Sequence, residues 1–186
     1  MALLDGWVHC PRCANELTRQ EGAVACVACG FLLYAHSAVT VSVLPEDDER
    51  RVLLARRAFE PFRALWDAIG GFLEEGEHPL AGVRREVQEE TGLTFEPHEL
   101  LGIWMGRYGE DERATLNLFW TGRLGDGTPH PADDVAELRW FGADQLPPAE
   151  ELAFDGLVAE VLGAWVASGE RVDRSSQTGA RRSHAP

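Results

Sequence analysis

The segment from Gly71 to Leu93 constrains the fold more than any other part of the chain, because it places three carboxylates in one short stretch. If residues 79–91 are helical, at about 100° per residue, these carboxylates lie within about one third of the circumference and an apolar stripe lies beside them. The carboxylates are those of Glu86, Glu89 and Glu90, and the stripe is formed by Leu80, Val83 and Val87. We therefore expect a helix that packs on one side and is acidic on the other.

Both ends of this helix have local sequence signals. Pro79 suits the first turn, because the N–H that proline lacks would be unpaired there in any case. Gly92 suits the position after the last turn, because glycine readily adopts the left-handed conformation that ends a helix. The sequence therefore predicts a helix over residues 79–91.

Three carboxylates on one helix face repel one another, since a like-charged pair four residues apart costs about 0.2–0.5 kcal/mol even when exposed. A cation should offset this cost. An oxygen-only cluster suits a hard divalent ion, Mg²⁺ or Mn²⁺, that also binds phosphates. The alternative is that the acidic residues form only the solvated face of an amphipathic helix.

The spacing in this segment resembles the Nudix box, the family signature G-x5-E-x7-R-E-U-x-E-E-x-G-U, in which U is aliphatic. Every fixed position is filled, from Gly71 and Glu77 to Gly92 and Leu93. The resemblance implies an α/β fold, the Nudix-type α/β/α sandwich with a mixed sheet, and hydrolysis of a nucleoside diphosphate linked to a moiety X. One departure is Ile69, which stands where the family commonly has proline before the double glycine.

The same resemblance implies roles for the charged residues of the box. Glu86, Glu89 and Glu90 would bind Mg²⁺ or Mn²⁺. Glu77 would assist the metal site or brace the loop, and Arg85 would orient a carboxylate of the box. In this reaction water attacks a phosphorus of the pyrophosphate, and metal ions neutralise phosphate charge and lower the pKa of the attacking water.

A carboxylate outside the box often completes the metal shell or acts as the base in this family. We favour Glu112, although any single loop acid is more often simply solvated. The full set of candidates is Glu110, Asp111, Glu112, Asp133 and Asp134.

Substrate-binding residues are expected among the arginines and aromatic residues. Arg57 ends a predicted strand and would contact a phosphate, or else form a surface ion pair. Trp66, Trp104 and Phe154 would stack on a base, or else pack in the core, which is the more frequent role of such residues.

Four cysteines form two CxxC pairs, Cys10 with Cys13 and Cys26 with Cys29. Four thiolates give Zn²⁺ the closed tetrahedral shell of a structural site, and a segment of about 35 residues needs such a metal to fold. We expect a structural zinc ribbon, with a redox dithiol as the alternative. The flanking histidines, at positions 9 and 36, are expected to be surface residues.

The length of 186 residues and the hydrophobic content of 45% fit one ordinary domain with a small module. We expect a zinc ribbon over residues 1–34, a Nudix domain over 35–168 and a disordered tail over 169–186. The net charge of −14 argues against binding to nucleic acid or to anionic membrane. Because neither a membrane span nor a signal peptide is recognisable, we expect a soluble cytoplasmic protein, and a homodimer is left open.

Alternating and β-branched segments predict the strands of the larger domain. Residues 38–44 and 51–57 should form a hairpin, and further extended segments should lie at 65–69, 93–95, 100–108, 114–122 and 135–141. Apolar residues at helical spacing predict a closing helix over 152–167.

A zinc ribbon directly before the box is found in NADH pyrophosphatases and in proteins that resemble ADP-ribose or FAD pyrophosphatases. Residues 137–154 resemble the second group, and residues 101–106 lack the S-Q-P-W-P-F-type segment of the first. We therefore expect cleavage of ADP-ribose or FAD, with NADH or a nucleoside triphosphate as the competing substrates. Two hypotheses of a different class are a non-catalytic sensor of nucleotide sugars whose ribbon docks a partner, and a ribbon that binds nucleic acid.

Overall fold

The computed structural model describes residues 3–109 and 112–180, with side chains up to residue 169. The chain divides into two compact units. The first is Met1–Ala38 together with Arg107–Thr115, and the second is Val39–Gly106 together with Leu116–Pro186. This division differs from the predicted boundary after residue 34, because the first unit runs on to Ala38 and includes a segment of a later hairpin.

The first unit contains a three-stranded antiparallel sheet. Its strands are β1 (Thr18–Gln20), β2 (Ala23–Ala25) and β3 (Leu32–Tyr34), in the order β1-β2-β3. Val24 in the central strand is almost completely buried. Because so few apolar side chains are available here, the sheet alone supplies little hydrophobic stabilisation.

The second unit is of the α/β class, as predicted, with a mixed sheet and two helices. Seven further strands fall into a four-stranded group in the order β7-β4-β9-β8 and a three-stranded group in the order β10-β5-β6. The strands are β4 (Ala38–Pro45), β5 (Val52–Arg57), β6 (Trp66–Asp67), β7 (Ile69–Phe72), β8 (Phe95–Tyr108), β9 (Arg113–Leu124) and β10 (Val135–Phe141). The helices are α1 (Pro79–Thr91) and α2 (Leu157–Ala180), and a 3-10 turn covers Ala149–Glu151.

The predicted hairpin between β4 and β5 is wrong. β4 pairs antiparallel with β7, whereas β5 pairs antiparallel with β10 and β6, and a single bridge between Glu46 and Val52 joins the ends of β4 and β5. β5 is buried on both faces: Leu53 packs in one core cluster and Leu54 in the other. A strand between two cores needs partners on both edges, and alternation along the sequence does not identify those partners.

The predicted helix is confirmed as α1, from Pro79 to Thr91. Nδ1 of His78 accepts a hydrogen bond from the N–H of Leu80 and so caps the first turn. Gly92 has φ of 74° and donates its N–H to the carbonyl of Gln88, which closes the last turn. The apolar stripe packs as expected, because Val83 and Val87 are fully buried.

The closing helix differs from its predicted limits. α2 begins at Leu157 because Phe154, Asp155 and Gly156 have positive φ values, which a right-handed helix does not allow. The helix continues to Ala180, so the segment predicted to be a disordered tail is helical as far as that residue, and residues 181–186 lie outside the described part. None of the helices described combines the length and the hydrophobicity that crossing a bilayer requires.

Candidate active site and cysteine cluster

Two glycines of β7 allow the box to approach its neighbouring strand very closely. A Cβ on Gly70 would lie 2.2 Å from the carbonyl oxygen of Val41 in β4, and Gly70 has φ of 148°, which favours glycine. Gly71 pairs with Val41 in the antiparallel register. The backbone of β4 therefore contributes directly to the placement of the start of the box.

The same glycines contact the carboxylates of α1. The N–H of Gly70 donates to Oε1 of Glu90 at 3.1 Å. A Cβ on Gly71 would lie 2.6 Å from Oε1 of Glu86, so a side chain at this position would displace that carboxylate. Glu86 and Glu90 are both more than nine-tenths buried. Strand and helix are thus held together directly at the acidic face.

Arg85 connects four parts of the box through its guanidinium group. Nε and Nη2 donate to the two carboxylate oxygens of Glu77 at 3.0 and 2.9 Å. Nη1 donates to Glu86 at 2.8 Å and to Glu89 at 3.0 Å, and Nη2 also donates to the carbonyl of Phe72. The pKa of Glu77 is lowered by its hydrogen bonds to Arg85, and the pKa of Arg85 is raised in turn. The predicted pairing of this arginine with box carboxylates is present in the structure.

A small polar cavity of about 10 Å³ lies behind the acidic face of α1. That volume is of the order that one water molecule or one ion occupies. The charged side chains around it come from four separate elements, and the rest of its wall is small or aliphatic. The charged residues are Arg57, Asp67, Glu90 and Asp134, and the others are Ala55, Ala68, Gly70 and Val135. The loop before β10 contributes through a bond from the N–H of Ala132 to the carbonyl of Glu90 at 3.1 Å.

Three buried carboxyl groups of this region have raised pKa values. Burial raises the pKa of Glu90 well above its usual range, and the nearby charge of Asp134 raises it further. Burial raises the pKa of Asp67 to about 6, although Arg57 opposes that shift through an ion pair at 3.1 Å. Burial also raises the pKa of Glu86, with Arg85 opposing. Three buried acids therefore lie near two arginines, Arg57 and Arg85.

This donor set fits a hard divalent cation. Carboxylate oxygens are the ligands that Mg²⁺ and Mn²⁺ prefer, and a bound cation would offset the repulsion between neighbouring acids. The three box carboxylates do not converge on one point, because the side chain of Glu89 is 47% exposed and bonded to Arg85. Glu86, Glu89 and Glu90 remain the predicted metal ligands, with Glu90 the most deeply placed.

The candidates for a carboxylate outside the box lie in different places. Glu112 belongs to the first unit, where its exposed side chain pairs with Arg107 at 3.6 Å. Asp134 lines the cavity beside Glu90, whereas Asp133 is exposed. Glu110 and Asp111 lie outside the described residues. Of the candidates within the described residues of the second unit, Asp134 lines the cavity; the role of Glu112 stays a prediction.

The predicted substrate-binding residues also lie in different parts of the structure. Arg57 lines the cavity and lies over the ring of Phe154, with 5.3 Å between guanidinium carbon and ring centroid. Trp104 packs edge-on against Phe119 in the core, and Trp66 packs in the same way against Phe141. Of the three aromatic candidates, Phe154 has its ring against the arginine of the cavity.

Sequence reasoning missed Asp67, which stands between the box and Arg57. The residue precedes the double glycine by only a few positions, but a single acid in a short strand carries no distinctive signal. Its location becomes informative only when β5 and β6 pair and bring it to Arg57.

The four cysteines form a compact cluster in the first unit, with their Sγ atoms all within 4.8 Å of one another. The cross-pairs Cys10–Cys29 and Cys13–Cys26 are each 3.5 Å apart, far longer than a disulfide bond of about 2.05 Å. A tetrahedral shell with Zn–S bonds of about 2.3 Å places sulfurs roughly 3.8 Å apart, which is close to these separations. The cluster fits one Zn²⁺.

Each CxxC pair forms the same local turn. The N–H of Ala14 donates to the carbonyl of Cys10 at 2.9 Å, and the N–H of Gly30 donates to that of Cys26 at 2.9 Å. The side chain and backbone of Asn15 lower the pKa of Cys13 to about 6. The backbone of Phe31 opposes but does not prevent a rise in the pKa of Cys29 to about 12, to which its hydrogen bond with Cys13 contributes.

Comparisons with known proteins agree with this geometry. A family model described as NUDIX domain matches residues 36–161. The ADP-ribose pyrophosphatase of Methanocaldococcus jannaschii is 33% identical over 125 residues, which are 67% of this chain and 72% of that protein. The NAD-capped RNA hydrolase NudC of Stutzerimonas stutzeri is 26% identical over 140 residues, which are 74% of this chain but only 49% of that protein.

A solved structure shares the fold over most of the chain. The NUDIX hydrolase from Nitrosomonas europaea superposes with a TM-score of 0.69 at 28% identity, covering 83% of this chain and 87% of that one. The similarity therefore extends well beyond the signature itself.

Proposed function

The chain belongs to the NUDIX domain family, and on that premise we propose that it hydrolyses the pyrophosphate bond of a nucleoside diphosphate linked to X, of the ADP-ribose or FAD type, in a reaction that requires Mg²⁺ or Mn²⁺. The family identifies the chain as a hydrolase. The substrate and the metal requirement are our proposal.

The observation that carries the proposal is the environment of Glu90. Its carboxyl group is 4% exposed, accepts the N–H of Gly70, and lies beside a cavity that Asp134 and Asp67 also line. Burying several acids together is unfavourable unless a cation balances them. A purely structural helix would gain nothing from this arrangement, whereas a metal-dependent hydrolase needs it.

The residues of the box would have separate tasks in this reaction. Glu86, Glu89 and Glu90, with Asp134, would hold the divalent ion, which when bound supplies charge neutralisation on the phosphate oxygens and a lower pKa for the attacking water. Arg85 holds Glu77, Glu86 and Glu89 in fixed orientations through four hydrogen bonds. Arg57, held by Asp67, would contact a phosphate oxygen of the substrate.

The structure favours a diphosphate over a triphosphate. In the cavity wall, Arg57 is the one cationic side chain among the described residues. The chain as a whole carries a net charge of −14, so each additional phosphate would need additional cations. The relative from M. jannaschii is named an ADP-ribose pyrophosphatase, which supports the same substrate class.

A second candidate is an NAD-linked substrate, because a relative that shares 140 aligned residues is named an NAD-capped RNA hydrolase. This candidate changes the expectation about nucleic acid: RNA would enter as a substrate through its 5′ end, and non-specific binding along its length is not required. The cysteine cluster is proposed to hold one structural Zn²⁺ in either case.

The test is a substrate panel measured at one fixed Mg²⁺ concentration, with products resolved by chromatography. It contains ADP-ribose, FAD, NADH, NAD-capped RNA, a diadenosine polyphosphate and a nucleoside triphosphate. We expect the highest kcat/KM for ADP-ribose or FAD, with AMP and the phosphorylated partner as products. A triphosphate preferred by tenfold, about 1.4 kcal/mol of transition-state discrimination, would contradict the charge argument.

A nucleotide-sugar sensor without catalysis is the competing hypothesis. Tight binding of ADP-ribose with no turnover of any panel member, in Mg²⁺ or in Mn²⁺, would support the sensor and refute the proposed hydrolysis.

A further inference from the structure

Two phenylalanine rings lie next to the arginine of the cavity. The rings of Phe62 and Phe154 have centroids 4.8 Å apart and are tilted by 53°. Phe62 belongs to the loop between β5 and β6, and Phe154 precedes α2. Both residues are partly exposed. We call this pair the aromatic shelf.

The shelf differs from two other ring pairs of the second unit. Trp66 with Phe141 and Trp104 with Phe119 are edge-on pairs that include almost completely buried rings. Those rings are accounted for by core packing. The ring of Phe154 also packs against the core cluster, but both shelf rings keep part of their surface in solvent.

Both shelf residues have unusual backbones. Phe62 has φ of 65° and Phe154 has φ of 61°, and the nearby residues Ala64 and Asp155 also have positive φ values. A bulky residue in this region is a steric outlier, and such outliers concentrate at ligand sites. The chain therefore accepts local strain in two separate segments in order to bring these rings together.

Arg57 connects the shelf with the cavity. Its Nη1 donates to Asp67 at 3.1 Å, its Nε donates to the carbonyl of Pro61 at 2.8 Å, and its guanidinium carbon lies over the ring of Phe154. Within the part of the chain that the structure describes, Nη2 has no acceptor. One guanidinium thus holds the loop of Phe62, contacts the ring of Phe154, and keeps a donor for an anionic group.

From this arrangement we infer that the aromatic shelf stacks the planar base of a nucleotide whose phosphate reaches Arg57. A base offers a π face that stacks on aromatic side chains and on arginine, and a phosphate is the anion that guanidinium binds well. The inference rests on the proposed function and deepens it, because it places the base-bearing half of the substrate. A ligand without a planar base would gain nothing from the shelf.

The experiment compares the binding of AMP with the binding of ribose 5-phosphate, which lacks the base. Calorimetry with the full-length, zinc-loaded protein in Mg²⁺ gives both dissociation constants. We expect AMP to bind wild type at least about tenfold more tightly, equivalent to about 1.4 kcal/mol. Phe62→Ala should remove about that factor for AMP and leave the affinity for ribose 5-phosphate unchanged.

Two further variants isolate the role of the ring. Phe62→Trp should keep the preference for AMP, whereas Phe62→Leu, which keeps an apolar side chain but no π face, should lose it. If the alanine variant does not fold, the leucine variant provides the test. The control is Phe59→Ala, because Phe59 is in the same loop and 63% exposed, and this change should alter neither constant.

Some outcomes overturn the inference. Equal affinity of wild type for the two ligands would do so, and so would an equal loss for both ligands in Phe62→Ala, since that would indicate a displaced phosphate site. The proposed function and the aromatic shelf can be refuted independently. If wild type prefers AMP through Phe62 but cleaves no diphosphate, base stacking on the shelf is supported and hydrolysis is refuted. If wild type cleaves ADP-ribose with a KM that Phe62→Ala and Phe62→Leu leave unchanged, base stacking on the shelf is refuted.

Discussion

Gly71 and Glu86 lie so close together that a methyl group at position 71 would displace the Glu86 carboxylate. A Cβ there would be 2.6 Å from Oε1 and 2.8 Å from Oε2 of Glu86. Glu86, the first carboxylate of the box on α1, therefore occupies space that a side chain at Gly71 of β7 would fill. This relationship couples a backbone feature of the strand to the charge that would hold the metal.

The first prediction is that Gly71→Ala displaces the Glu86 carboxylate and lowers kcat/KM by at least about tenfold, because catalytic geometry tolerates displacements of only about 1 Å. Steady-state kinetics on ADP-ribose measures the loss, and circular dichroism checks the fold. Gly163→Ala is the matched control, since no atom lies within 4 Å of a Cβ at that exposed helical position. The control should keep full activity and gain up to about 1 kcal/mol of stability. An active Gly71→Ala enzyme would refute the steric argument.

The second prediction concerns the box carboxylates. Glu89→Gln and Glu90→Gln keep the side-chain size but remove charge, so each should lower turnover by about two orders of magnitude or more while the protein stays folded. Glu96→Gln is the control, because Glu96 is 74% exposed and pairs only loosely with Arg84. Activity is measured over a Mg²⁺ titration at saturating substrate. Wild-type turnover in either variant would remove that residue from the metal site.

The third prediction uses Asp67 and the pH dependence of stability. Burial raises the pKa of Asp67 from 3.8 to about 6, so the folded protein binds a proton more tightly than the unfolded chain does. Between those values the free energy of unfolding should therefore fall as the pH rises, and Asp67→Asn should lose less stability than wild type over about pH 4 to 7. Urea unfolding without added Mg²⁺ or Mn²⁺ measures both slopes. The exposed Asp126→Asn should follow wild type; identical slopes for all three proteins would contradict the assignment.

The fourth prediction is that the protein contains one Zn²⁺ per chain, held by Cys10, Cys13, Cys26 and Cys29. Metal analysis of reduced protein purified without added zinc should give a stoichiometry near one. Cys26→Ser should lower it, because the buried Cys26 is one of the four converging sulfurs. A zinc content near zero in the reduced wild type would leave the redox dithiol as the better interpretation.

The sequence was most informative where the determinants are local. α1 matches its predicted range because its cap, its apolar stripe and its terminal glycine all lie within the segment itself. The strand Val135–Phe141 was likewise found with its predicted limits. Both elements are indicated by hydrophobic periodicity and by turn residues. These signals can be identified without knowing which segments pack against the element.

The sequence was least informative where distant segments meet. β4 pairs with β7 and not with β5, and β5 lies between two core clusters. A local sequence pattern does not identify such pairings. The cavity combines Asp67 from β6, Glu90 from α1 and Asp134 from the loop before β10. Sequence reasoning named Asp134 among the candidate loop acids without singling it out, because a loop acid shows its environment only after the chain has folded.

The main-chain contact between Gly70 and Val41 has a consequence for how such a protein can change over evolutionary time. Backbone atoms of β4 and β7 align the hydrolytic centre, whereas connecting segments carry the two phenylalanines. Substitutions in the loop over residues 58–65 can alter which nucleotide is bound without disturbing that alignment. Related proteins could therefore differ in the nucleotide they bind while keeping the same arrangement of β4, β7 and α1.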